Sequence, residues 1–351
     1  MTHTFTRRDI IERAGGLALA TPFLSLAACD GADRGRPLSR LSGATMGTTY
    51  QISITDKPAH VNMERLAEDV ENILETVNRQ MSLHRPDSEL SRFNAGEAET
   101  LTAVSGDTAK VAAQAIDIAE RTNGAFDPTI GPLVDLWGFG AGGDGLKVPS
   151  ADQIQKVRAE TGFATVQARA APPRLRKRAR STHLDLCGIA KGFGVDRLAD
   201  HLEAIGAGYY LVEIGGELRG RGWSPRGGVW RVGIERPGTE SGGAQRVVRL
   251  NGKGLATSGD YRIFFEKDGR HYSHILDPRT GRPVNHGLAS VTVIAPTTME
   301  ADGLSTAMMV LGAVEGLKLA ERETIAAFFI TRQERGFSET ASTAFLPYLV
   351  A

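Results

Sequence analysis

"LDLCGIAKGFGVDRLADHLEAIGAGYYLVEIGG", Leu184 to Gly216, is the stretch from which the fold class follows. Its opening residues end a strand, small residues around Cys187 and Gly188 carry the chain through a turn, and a helix runs from about Lys191 to Ile205. Gly206, Ala207 and Gly208 stop that helix, and Tyr209 to Gly216, rich in β-branched and aromatic residues, forms the next strand. Free N–H groups and the dipole at such a helix start can face a pyrophosphate. Close helix-to-sheet packing accounts for the same glycines equally well. The stretch lacks GxGxxG, so a Rossmann fingerprint is not supported.

The same alternation continues outward. "MERLAEDVENILETVNRQM" spaces Leu66, Val70, Ile73, Leu74, Val77 and Met81 as one helical face, and "DTAKVAAQAIDIAERTNG" does so before Gly124, a suitable C-cap. A further helix is expected over Ala151 to Thr161. Strands are expected over Val229–Glu235, Ala289–Pro296 and Ile325–Thr331. The class is therefore α+β. The basic run "APPRLRKRARSTH", with Arg174, Arg176, Lys177, Arg178 and Arg180, suits a solvated loop or edge strand. "MEADGLSTAMMVLG", residues 299–312, places Asp302 and Thr306 on one face at a helix start with Met308, Met309 and Leu311 in its buried body. On spacing alone that pair is a capping arrangement, the dipole favouring Asp302 and Thr306 bonding back along the helix.

With 351 residues, 41% hydrophobic and 23% charged, the chain is globular and can bury one large core or two smaller ones. Its 41 basic side chains balance 41 acidic ones, so no global field attracts nucleic acid. Glycine, at 41 residues, exceeds the average of about 7%, as in proteins whose backbone approaches a ligand. The N-terminal "TRRDIIERAGGLALATPFLSLAAC" has a twin-arginine start (Arg7, Arg8), an apolar segment shorter than a membrane span, and a lipobox-like "LAAC" ending at Cys29. Residues 1–28 are expected to be an export signal, 29–40 a tether, and 41–351 the folded domain. Lipidation of Cys29 would anchor the protein to the periplasmic side of the inner membrane and leave Cys187 without a disulfide partner.

Chemistry-bearing residues gather in "ATMGTTY" (44–50), "MSLHRPDSELSRFN" (81–94), "GAFDPTIGPLVDLWGFG" (124–140), "LDLCGIAKGFGVD" (184–196), "HILDPRTGRPV" (274–284) and the stretch 299–312. In this order, from about Leu41 to beyond Gly312, they resemble the bacterial flavin transferases of the ApbE type, which move FMN from FAD onto a Thr or Ser of another protein. The resemblance implies a single catalytic domain of sheets flanked by helices, a mixed α/β, T-fold-like architecture. It implies FAD as substrate and Mg2+ as cofactor. It places Gly188 (through its backbone oxygen), Asp302 and Thr306 around Mg2+, and His274 as the base that helps the acceptor hydroxyl attack. It puts Met46, Ala125, Phe126, Asp127, Asp185, Lys191 and Leu276 at the FAD-binding positions. Histidine suits a base because its ordinary pKa lies near working pH. An oxygen-only set suits a hard cation.

Other residues have plainer readings. Trp137 and Phe139 fit core aromatics. Asp277 either orients His274 or caps its turn, Asp87 and Glu89 fit loop or cap positions, and Arg92 is a packing or phosphate-side group. Two positions depart from the ApbE pattern: relatives often carry other small residues at Cys187 and Gly188, and many have an aromatic Tyr where His84 stands. Exported relatives include the accessory flavin transferase of nitrous oxide reduction, whose target is a membrane flavoprotein, so the resemblance implies a periplasmic acceptor of that kind. A non-catalytic flavin-binding lipoprotein and an FAD pyrophosphatase giving FMN and AMP remain alternatives. A serine hydrolase lacks support, since no GxSxG surrounds Ser258.

Overall fold

The computed structural model describes residues 35–140, 145–238, 243–260, 263–267 and 269–350. The twin-arginine segment, Cys29 and the first part of the tether lie outside the described residues. The fold opens with a hairpin, β1 (Leu38–Thr45) and β2 (Thr48–Thr55), joined across Met46 and Gly47. Both turn residues have positive φ, 49° and 71°, as a two-residue hairpin loop requires. The strand starts ahead of Leu41: Leu38 packs into a core cluster, and the Arg36 amide donates to the Pro225 carbonyl at 2.8 Å.

Helices α1 (Met63–Met81) and α2 (Glu89–Ala95) follow, then β3 (Thr102–Ala103), α3 (Gly106–Arg121), α4 (Gly131–Trp137) and α5 (Ala151–Arg158). Next come β4 (Val166–Ala170), β5 (Pro173–Lys177), α6 (Ala190–Ala204), β6 (Tyr210–Ile214), β7 (Glu217–Arg221), β8 (Trp230–Glu235), β9 (Ala244–Leu250) and β10 (Lys253–Gly259). Two small hairpins, β11 (Phe264–Lys267) with β12 (Arg270–Ser273) and β13 (Leu276–Asp277) with β14 (Arg282–Pro283), precede β15 (Leu288–Ala295), α7 (Thr298–Arg322), β16 (Ala326–Arg332) and β17 (Phe337–Ala341). The large sheet runs β1-β2-β6-β7-β10-β15-β16-β17, antiparallel throughout.

That sheet is covered on both faces, which is why β15 is buried at every position instead of alternating. Val291 and Val293 face α3 and α7 in the largest core cluster, while Ile294 faces the β8–β9 hairpin and Phe345. The predicted face of α1 is the buried one, Leu66, Val70, Leu74, Val77 and Met81, with the Asn62 side chain capping its start. Helix α7 is kinked at Gly312, whose φ of 76° leaves the helical region.

Two expectations are corrected. No strand leads directly into α6: Leu184 to Leu186 is extended but pinned to loops, with the Leu184 amide donating to Asn94 Oδ1 and the Asp185 amide to the Pro128 carbonyl. In the basic run Arg178 and Arg180 are exposed loop residues, as expected, but Pro173–Lys177 is neither loop nor edge, because β5 is the middle strand of the β3-β5-β4 sheet. Its inward positions are Leu175 and Lys177, and Lys177 is buried because its ammonium donates to the carbonyls of Asn94, Arg180 and Thr182. Strand alternation turned one basic side chain inward, which charge counting along the chain does not register.

Candidate active site

The site is built where α6 meets α7. A methyl group at Gly192 would stand 2.4 Å from the Thr298 carbonyl oxygen and 2.9 Å from Asp302 Cβ, so only hydrogen fits there. Gly254 of β10 is similarly tight, 2.3 Å from the Thr298 nitrogen. These glycines let the helix starts touch, and the Gly192 amide donates to Asp302 Oδ2 at 2.9 Å.

Asp302 therefore caps a helix, but not its own. Helix α7 begins at Thr298, so Asp302 and Thr306 lie in its second and third turns rather than its first. Its first amides are satisfied by Asp196, which accepts from Thr298 and Met299 at 2.9 Å each, and by Thr297, which accepts from Glu300. Helix α6 has no cap of its own at Ile189 and borrows the Asp302 carboxylate.

The other Asp302 oxygen, Oδ1, lies 3.9 Å from the Lys191 ammonium, which in turn sits 3.2 Å from Glu217 Oε1. Burial pushes the Asp302 and Glu217 carboxyls up while the Lys191 charge pulls them down; the two carboxylates hold Lys191 firmly protonated. Thr306 Oγ1 lies 3.4 Å from where a Gly188 Cβ would stand, with the Phe126 ring edge at 3.2 Å. Ser258 of β10 shares its hydroxyl with Ser305 at 2.9 Å and Thr306 at 3.5 Å. Gly188, Lys191, Asp302, Thr306 and Phe126 thus form one cluster. Met46 joins it by reaching α6 at Gly194, where a methyl on the glycine would stand 3.1 Å from the methionine Cε.

Asp185 and the "GAFD" loop adjoin this cluster through Cys187 and Phe126. The Asp185 carboxylate accepts from the Cys187 amide at 2.8 Å and lies beside Gly131, and burial pushes it upward. Ala125 is buried, and Asp127 is committed within the protein: it accepts from the Thr129 amide and hydroxyl and from the Phe163 amide. This carboxylate braces the loop, and burial still raises its pKa.

His274 and Leu276 belong to a second cluster around α4. The His274 ring places Nδ1 2.9 Å from the Ile263 carbonyl, so Nδ1–H donates and Nε2 is left with its lone pair. Burial lowers its pKa, which keeps the ring neutral. Leu276 is buried with Leu133, Trp137 and Ile154, and Trp137 Nε1 donates to the Gly281 carbonyl, tying α4 to the His274 loop. Asp277 accepts from the amide and guanidinium of Arg279, so it caps its turn rather than orienting His274. Trp137 is a core aromatic and Phe139 stands edge-on to His274 at 6.4 Å.

Among the plainer readings, Glu89 accepts from Ser105 and Thr108 and braces α3, Asp87 pairs with Arg85, Arg92 binds the Asp87 carbonyl, and His84 is exposed. Among the described residues no three His, Cys, Asp or Glu side chains are grouped to hold a metal. An oxygen set with a single carboxylate, one hydroxyl and one backbone carbonyl still fits a hard cation that completes its shell with phosphate and water. Sequence reasoning missed Glu217, Asp196 and Ser258. Only the Gly215–Gly216 pair immediately before Glu217 signalled a close approach there.

Comparison with known proteins agrees with this geometry. Residues 46–329 match the model of the ApbE family. The FAD:protein FMN transferase of Haemophilus influenzae is 43% identical over 335 residues, covering 94% of this chain and 96% of its own. That of Vibrio cholerae is 42% identical over 337 residues, covering 95% and 98%. The solved flavin transferase ApbE of Vibrio cholerae superposes with a TM-score of 0.83 at 42% identity, covering 90% of this chain and 100% of that one. The apo flavinyl transferase ApbE of Pseudomonas stutzeri gives 0.83 at 44%, covering 90% and 98%.

Proposed function

The chain belongs to the ApbE family and is an FAD:protein FMN transferase; on that premise we propose which of its residues carry the transfer and where it works. The acceptor Thr or Ser oxygen attacks the FMN-side phosphorus of FAD, the bond to the bridging oxygen breaks, and AMP leaves. His274 Nε2 takes the hydroxyl proton, a role left open to it because Nδ1–H is held by the Ile263 carbonyl. The Lys191 ammonium meets the diphosphate at the start of α6, where opposite charge and amide dipoles act together. Met46, Ala125, Phe126, Asp127, Asp185 and Leu276 shape the FAD pocket, most of them as buried walls rather than free donors.

Asp302, the Thr306 hydroxyl and the Gly188 carbonyl would hold Mg2+, which when bound offsets charge on the phosphate oxygens. The observation that carries this reading is the division of the Asp302 carboxylate: one oxygen fixes α6, and the other stands beside the Lys191 ammonium. Export through the twin-arginine segment, with anchoring at Cys29, would place the enzyme in the periplasm facing an acceptor flavoprotein of the membrane, such as one serving nitrous oxide reduction.

Incubating the purified chain with FAD, Mg2+ and an acceptor carrying the flavinylation Thr tests the transfer. A fluorescent acceptor band with release of AMP is expected. AMP and FMN without labelling would point to hydrolysis, and bound flavin without either to a carrier.

A further inference from the structure

Lys191 occupies the second position of α6, where the helix dipole disfavours a cation, so its presence there needs carboxylates. Two are supplied, and they are not equivalent. Glu217 Oε1 lies 3.2 Å from Nζ, whereas Asp302 Oδ1 lies 3.9 Å away. Glu217 is 4% exposed, and its second oxygen, Oε2, is buried without a hydrogen-bond partner among the described residues. The Gly215–Gly216 turn, at φ 60° and 108°, folds this residue over the lysine stem: a methyl at Gly215 would lie 3.5 Å from Lys191 Cδ. The fold has therefore buried a carboxylate at some cost beside a lysine that already had one in reach.

We propose that Glu217 is a positioning residue of this site: it draws the Lys191 ammonium away from Asp302, so that Asp302 Oδ1 stays open to the divalent cation and the ammonium stays turned to the diphosphate. Without Glu217, Asp302 is the remaining carboxylate within reach of Nζ. The ammonium then closes on Oδ1, the one oxygen not spent on the Gly192 amide, and competes with the metal. This inference rests on the assignment of Asp302 as a metal ligand.

The test measures binding, not turnover. Mn2+, used in place of Mg2+, is titrated by the loss of its free electron-paramagnetic-resonance signal, with FAD saturating for each variant. Glu217→Gln is expected to weaken Mn2+ about 10-fold, the low end for a residue that orients a ligand. Lys191→Met/Glu217→Gln, which has no ammonium to misplace, is expected to bind within about 2-fold of Lys191→Met. Should Glu217→Gln alone fail to fold, Glu217→Asp, which keeps the carboxylate and shortens its reach by one methylene, carries the test: weaker Mn2+ binding is expected, and unchanged binding overturns the proposal. Unchanged binding in Glu217→Gln, or an equal 10-fold loss in the Lys191→Met background, overturns the proposal. Asp302→Asn separates the two readings: its loss of Mn2+ alongside an unaffected Glu217→Gln overturns the Glu217 role alone, while unaffected Asp302→Asn overturns the metal assignment and this inference with it.

Discussion

Replacing Gly192 by alanine tests whether the meeting of α6 and α7 is as tight as the structure has it. The new Cβ would start 2.4 Å from the Thr298 carbonyl oxygen, and ordinary contact begins near 3.4 Å, so the helices must part by about 1 Å. That displacement stretches the 2.9 Å bond from the Gly192 amide to Asp302 beyond hydrogen-bond range. Overpacking costs about 1–3 kcal/mol, and losing a hydrogen bond to a charged group costs about 1.5–3 kcal/mol. Alanine returns nearly 1 kcal/mol of helix propensity, leaving a net loss of roughly 2–5 kcal/mol. At about 2–4 °C per kcal/mol for a large domain, Tm should fall by roughly 4–20 °C. Scanning calorimetry measures this directly. Gly188→Ala is the control, because its Cβ meets the Phe126 ring edge at 3.2 Å rather than backbone, and it should cost under about 1 kcal/mol. A Gly192→Ala protein melting within about 1 °C of the parent, or a Gly188→Ala protein falling equally far, would refute the reasoning.

Further outcomes are expected for stability and for pH dependence. Asp196→Ala removes the cap from α7 and leaves Arg219 half-buried without its 2.8 Å partner, which should cost roughly 3–5 kcal/mol in urea unfolding. Lys177→Met strands three carbonyls that its ammonium now satisfies, and the urea midpoint should drop by the equivalent of roughly 2–4 kcal/mol. With His274 as the proposed base, the acid limb of kcat/KM should lie below the ordinary histidine value of about 6.5, because burial depresses His274 and that role needs its neutral ring. Asp260→Asn should move that limb lower still, since the Asp260 charge holds His274 up. The sign extends to stability: the unfolded chain takes up this proton first, so the His274 contribution declines as pH falls through about 6.5.

Much of the candidate site was legible because it is local. The turn at Gly188, the His274 loop and the Asp302–Thr306 spacing each occupy a few consecutive residues, and their order along the chain carried the family resemblance. The helical periodicity of α1 and α3 was equally plain, since one side of each helix repeats every three to four residues. Glu217 was not legible, because nothing near it in sequence shows that β7 would deliver it beside a lysine twenty-six positions earlier, itself a consequence of the β6–β7 turn.

The sequence by itself determined the long amphipathic helices and several of the core strands, and which short motifs bear oxygen, imidazole and ammonium groups, because propensity, periodicity and turn chemistry act between near neighbours. Only the tertiary structure decided what those groups are attached to. Asp302 looked like the cap of its own helix, and the meeting of α6 and α7 across Gly192 made it the cap of another. Lys177 looked like a solvated charge, and the middle position of β5 enclosed it. In both cases a backbone atom far along the chain takes part, the Gly192 amide for Asp302 and the Asn94 carbonyl for Lys177, and such pairings leave no mark on local composition because any residue can supply an amide or a carbonyl.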